Sequence, residues 1–287
     1  MSLGFHYYET LQTSLTLQWI EQEKTAETLG KLIAAGSMAA IFTFLLIWLA
    51  DNLLQLDFRW MYLAFGGLTV LTALAAWTLF PHFPQQTEQH KHMVVRRRYW
   101  LYYALVFMSG ARRQIFVVFA GFLMVEKFAY SVSEIALLFL INAGMNVLFA
   151  KKIGRLIHRI GERRALLLEY SGLILVFCGY ALVEQAGLAA VLYVLDHLLF
   201  AMAITLKTYF QKIAAKEDIA STAGVSFSIN HIAAVIIPAL FGLLWLVSPA
   251  LVFFSGAAMA LVSLLLSQLI PHDPCNGSET IWSKARR

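Results

Sequence analysis

Apolar residues along this chain fall into long unbroken runs, and polar residues collect in the short stretches between them. Eight runs are long enough to cross a bilayer: Leu29–Ala50, Trp60–Phe80, Tyr99–Met124, Tyr130–Ala150, Ala165–Val183, Leu188–Leu206, Thr222–Val247 and Pro249–Ile270. A hydrocarbon core about 30 Å thick needs about 20 apolar residues per helix. Each run is apolar on nearly every face, as a helix in lipid must be. Membrane strands are excluded by length, because a barrel strand crosses in about 10 residues of alternating character. The pattern predicts an all-α, polytopic membrane helix bundle. Residues 1–20, "MSLGFHYYETLQTSLTLQWI", are amphipathic and richer in polar groups.

Composition supports this reading. The chain of 287 residues is 60% hydrophobic and 14% charged, against about half and about a quarter in soluble domains. Its first residues lack a basic region followed by an apolar run, so they do not form a signal peptide. Cys178 lies in an apolar run and Cys275 in a polar tail, which excludes a disulfide framework.

Charge then orients the runs. Alternate connections carry Lys24 and Lys31; Lys91 and Arg96–Arg98; Lys151, Lys152, Arg155, Arg159, Arg163 and Arg164; Lys207, Lys212 and Lys216; and Lys284, Arg286 and Arg287. These are 18 of the 22 Lys and Arg residues. The opposite connections hold only Arg59 and Lys127. By the positive-inside rule the first set is cytoplasmic, with the C-terminus on that side. Topology accounts for the basic loops, so no nucleic-acid partner is implied. The sequon Asn276-Gly277-Ser278 falls in the cytoplasmic tail and stays unmodified.

The remaining cations, Arg112 and Arg113, stand side by side inside the third run. Each costs about 2.5–3.5 kcal/mol at a helix centre, so the pair costs roughly 5–7 and should not face lipid. Arg112 is about 21 Å along the helix from Arg98, too deep to snorkel easily. Adjacent residues point about 100° apart, so one arginine can face a central cavity while the other faces a neighbouring helix. Ser109-Gly110 offers a place to bend.

Other polar groups sit at similar depth. Asp196 and His197 lie roughly 15 Å from the outer end of their run. Asn142 and Asn146 are one turn apart on one face, and Asn230 and His231 are adjacent. The arginines can form a structural ion pair with Asp196 or Glu169, or coordinate an anion or gate. Asp196 can carry a proton or stay paired. His197 and His231 can pack or relay protons, and the asparagines can bind substrate or join helices. Glu169, close to Arg163 and Arg164, is expected to pair with them. Pro238 and Gly242 are expected to permit a kink and close packing. No phosphate loop, nucleophile triad or zinc pattern occurs, so no cofactor, metal site or enzymatic activity is expected.

The connection "GRLIHRIGERR", Gly154 to Arg164, resembles the G-x-L-x-D-R-x-G-x-R-R signature of the major facilitator superfamily. Gly154, Leu156, Arg159, Gly161, Arg163 and Arg164 match, and His158 stands at the acidic position. The resemblance implies a cytoplasmic gating motif here, with a latch that works differently for want of the acid. It implies twelve helices in two halves, of which residues 99–270 look like the C-terminal six-helix half. Residues 1–80 look like the last part of the N-terminal half, from a partial helix four. Residues 81–98 read as a cytoplasmic linker and 271–287 as a cytoplasmic tail. The implied function is secondary transport of a small solute across a bacterial inner membrane, with possible proton coupling, by alternating access. The alternative is a truncated, non-transporting remnant, or a membrane subunit completed by a separate N-terminal chain.

Overall fold

The computed structural model describes residues 2–55, 57–79 and 87–283. Part of the expected linker, 81–86, and the tail residues Lys284, Arg286 and Arg287 lie outside the described residues. Among those described, the chain is helical, with eight helical segments long and apolar enough to cross a membrane. Each overlaps one of the eight apolar runs.

Helix α1 spans Ser2–Trp19, α2 Gln22–Asn52 and α3 Phe58–Leu79. The third span begins with α4 (Trp100–Gln114), passes through a π-helical turn at Ile115–Ala120, and ends as α5 (Gly121–Glu126). Ser109 and Gly110 continue the helix, so the bend expected there is absent. Gly110 instead admits α10, because a Cβ on it would lie 2.5 Å from Asn230 Oδ1. The helical distortion falls one turn later, immediately after the two arginines.

Helices α6 (Val132–Ile160) and α7 (Glu162–Leu182) follow. Ser131 caps α6 in a capping box with Glu134, satisfying two free backbone donors reciprocally. Gly161 ends α6 at φ +80°, a left-handed conformation that glycine adopts without steric cost. The sixth span is α8 (Ala186–Phe200), one 3-10 turn at Ala201–Ala203, and α9 (Ile204–Ile213). The last two are α10 (Ile219–Val247) and α11 (Pro249–Ser267). Pro238 lies within the continuous α10, and the Cβ position of Gly242 meets open space, so close packing through Gly242 is not found.

The main core joins α4 to α7 through α11, around Tyr99, Ile115, Tyr170, Phe177, Phe210 and Phe253. A smaller cluster of Ala26, Leu29, Ile157, Ala165, Met202 and Ile204 ties α2 to α6 and α9. There α2 runs against α6 at backbone distance. A Cβ on Gly30 would strike the Ala150 carbonyl, and one on Gly154 the Ala26 carbonyl. Charge reinforces the contact: Glu27 lies 3.6 Å from Lys151 and 3.9 Å from Arg155. Beyond this contact, none of the described side chains in α2's later half is buried and nearly all of α3 is exposed, with Phe42, Trp48, Leu71 and Trp77 among the exposed apolar residues.

The described part of the linker is strapped to the α9–α10 turn. Gln89 donates to the Lys216 carbonyl and accepts from the Ala220 N–H, and Val94 N–H donates to Ser221. Buried Asp218 gathers Arg96 at 3.1 Å, Arg98 at 3.2 Å and the Tyr99 hydroxyl at 2.9 Å. Its carboxylate raises the Arg96 guanidinium above its ordinary pKa. The tail folds back as well: Tyr209 donates to the Glu279 carbonyl, and Arg98 to Asn276.

Candidate functional site

A cavity of about 500 Å³ lies between the α1–α2 unit and the helices from α4 onward. Its walls come from α1, the first half of α2, α4, α6, the α8–α9 junction and α10. Most of the lining is apolar, with Tyr102, Val106, Phe200, Leu206, Phe210 and Phe227 prominent. The polar groups include Glu9, Thr10, Gln12, Thr13 and Thr16 from α1, and Arg113, Asn146, His197, Lys207 and Asn230 from elsewhere.

Helical geometry divides the two arginines. Arg113 lines the cavity, with its guanidinium carbon 5.4 Å from the Phe200 ring centroid. Arg112 turns the other way and is 3% exposed. It donates to Ser263 on α11 and sits 4.6 Å over the ring of Tyr170 on α7.

The same division recurs on α8. His197 faces the cavity and is hydrogen-bonded to Asn146 at 3.0 Å. Asp196 is 2% exposed and is not among the cavity-lining residues. The pairing expected for Glu169 is corrected. It is 0% exposed, neither of its carboxyl oxygens has a hydrogen-bond partner, and the charge acting on it is Arg112, not Arg163 or Arg164. Arg112 acts on Asp196 too. Both acids sit more than one helical turn inside their helices, Glu169 on α7 and Asp196 on α8. Tyr170 and Tyr180 complete this interior, their hydroxyls also without partners. Two compartments therefore lie back to back, a cavity at Arg113 and His197 and a buried polar cluster at Arg112 and Asp196.

The asparagines separate in the same manner. Asn146 and Asn230 line the cavity, whereas Asn142 is buried outside it. His231 packs on Phe227 at 3.9 Å between ring centroids and on His6 of α1 at 4.5 Å, with Nδ1 2.9 Å from the Phe227 carbonyl. It is a packing group between α10 and α1.

Lys207 was grouped by sequence with the loop cations, yet it lies on α9 in the cavity wall, donating to Thr13 at 3.2 Å. Its position six residues before the end of α9 is the signal that could have found it. In the Gly154–Arg164 connection, Gly154 allows the α2 contact and Gly161 the turn, while Arg159 and Arg164 are exposed. The acid that clasps this end is Glu162, buried and 2.9 Å from Lys212 of α9. Among the described residues, no group of three or more potential ligands could hold a metal ion.

Eight candidate spans packed around an internal cavity define a polytopic membrane protein. The profile of the Major Facilitator Superfamily matches residues 2–238, and the chain belongs to that superfamily. No curated protein matches the chain. It is an integral membrane protein of a secondary-transporter family.

Proposed function

We propose that the protein moves a small solute across a bacterial inner membrane by alternating access, with the basic end and C-terminus in the cytoplasm, and that proton movement drives it. The observation that carries this reading is the cavity between the two helical units, lined by Arg113, Asn146, His197 and Asn230. Rocking of one unit on the other would expose such a cavity to either side. The α2–α6 contact at Gly30 and Gly154 lies at the basic end, where a cytoplasmic gate would close.

The proton would ride on the cluster of Glu169 and Asp196. Two buried carboxyls face one guanidinium, so charge neutrality in this low-dielectric interior asks for one bound proton. Opening of the adjacent cavity would change the hydration of the cluster and release the proton.

A substrate screen in a transport-deficient host, followed by reconstitution into vesicles, tests the proposal. Asp196→Asn and Glu169→Gln are expected to abolish uptake driven by a pH gradient while solute exchange continues. Gradient dependence unchanged in both variants would remove the coupling role. A second reading, a membrane subunit completed by another chain, is supported by the apolar surface of α3 and outer α2, which meets little of this chain. Uptake by the purified chain alone would exclude it.

A further inference from the structure

Arg113 of α4 and Lys207 of α9 are two cations that line one cavity from different helices. Among the described residues neither Arg113 nor Lys207 enters an ion pair with a carboxylate; other cations pair with Asp218, Glu162, Glu27 and further acids. Lys207 donates to a neutral partner, the Thr13 hydroxyl, and Arg113 rests over the Phe200 ring. Two like charges lining one cavity repel, and an anion between them offsets the repulsion.

The lining holds one carboxylate, Glu9, whose charge reaches Lys207. Glu9 is half-exposed and lies 4.0 Å from His6, so it offsets only one of the two cations. The surplus is a single positive charge. Beside polar lining from Asn146, His197 and Asn230, an aliphatic and aromatic stretch at Leu29, Ile33 and Phe210 would desolvate an apolar body.

We infer that this cavity binds a monovalent organic anion, a carboxylate or sulfonate on an apolar body, with the acidic group held between Arg113 and Lys207. The inference deepens the transport reading by naming the substrate class, and it can be tested without turnover.

The test uses the full chain with Cys178→Ser, Cys275→Ser and Thr10→Cys, so that the single thiol lines the cavity. Labelling rates are measured with an anionic methanethiosulfonate (the ethylsulfonate) and a cationic one (the ethyltrimethylammonium). The anionic-to-cationic rate ratio is expected to exceed that of a chain keeping only exposed Cys275 by about tenfold, as a cationic cleft concentrates anions. Arg113→Gln and Lys207→Gln should each lower the ratio. Hexanoate should protect the thiol, acetate should protect it less, and hexanamide should not protect it. Thr16→Cys supplies a second position on the same wall should Thr10→Cys fold poorly.

A ratio that favours the cation, a ratio unmoved by both substitutions, or any other order of protection overturns the inference. Hexanoate uptake into vesicles is a separate measurement. Selective labelling without uptake would sink the transport reading and leave the anion site standing.

Discussion

At the residue scale, adjacent positions on α4 and α8 serve two different environments. Arg112 is buried against Tyr170 and Ser263, whereas Arg113 opens onto the cavity. Removing Arg112 leaves two buried carboxyls without their cation. Breaking a buried charge arrangement in this way typically costs about 3–5 kcal/mol. Arg112→Gln is therefore expected to destabilise the detergent-solubilised protein by that order. Arg113→Gln should stay within about 0.5 kcal/mol, as substitutions at accessible positions usually do. Denaturant titration of the two variants checks this, and equal effects would contradict the division. The side-by-side arginines were legible as a problem in the sequence, and so was the divergence of their directions. Which arginine faced which way depended on the orientation of α4 against α7 and α11.

At the scale of elements, small residues decide how closely helices approach. Gly154 and Gly30 let α2 and α6 meet backbone to backbone, at the end where Glu27 faces Lys151 and Arg155. A leucine at 154 has nowhere to go but into the Ala26 carbonyl, and overpacking of this kind costs about 1–3 kcal/mol. Gly154→Leu is expected to separate the helices. A cysteine pair introduced at Glu27 and Lys151 should cross-link readily in the parent chain and poorly in the variant. Undiminished cross-linking would show that the contact does not hold the two units. The glycine-containing signature was readable from Gly154 to Arg164, but its electrostatic partner was not. With His158 at the acidic position, the clasp passes to Glu162 and Lys212, a pair 50 residues apart that only folding joins.

At the scale of the whole molecule, nearly all the basic side chains of the connections gather at one end, with the strapped linker, Asp218 and the folded-back tail. If positive charge sets orientation, this end faces the cytoplasm. Exposed Cys275 is then expected to react with a membrane-impermeant thiol reagent in inverted membrane vesicles and to be silent in right-side-out ones. The opposite pattern would invert the topology and, with it, the direction of the proposed gate.

Span number, helical class and family were all present in the linear pattern, because a bilayer demands about 20 apolar residues per crossing and internal satisfaction of every backbone polar group. Those demands act locally and leave their mark on contiguous sequence. The identity of the cavity wall did not follow from them. Lys207 reads in the sequence as a loop cation and Glu169 as a partner of its sequence neighbours, and nothing in the linear pattern separates Asp196 from His197. Each was placed by the rotation of a helix about its own axis and by the helix it packs against. An apolar run that is hydrophobic on all faces carries no moment to set that rotation. Tertiary packing therefore decided which polar groups met one another and which met open space.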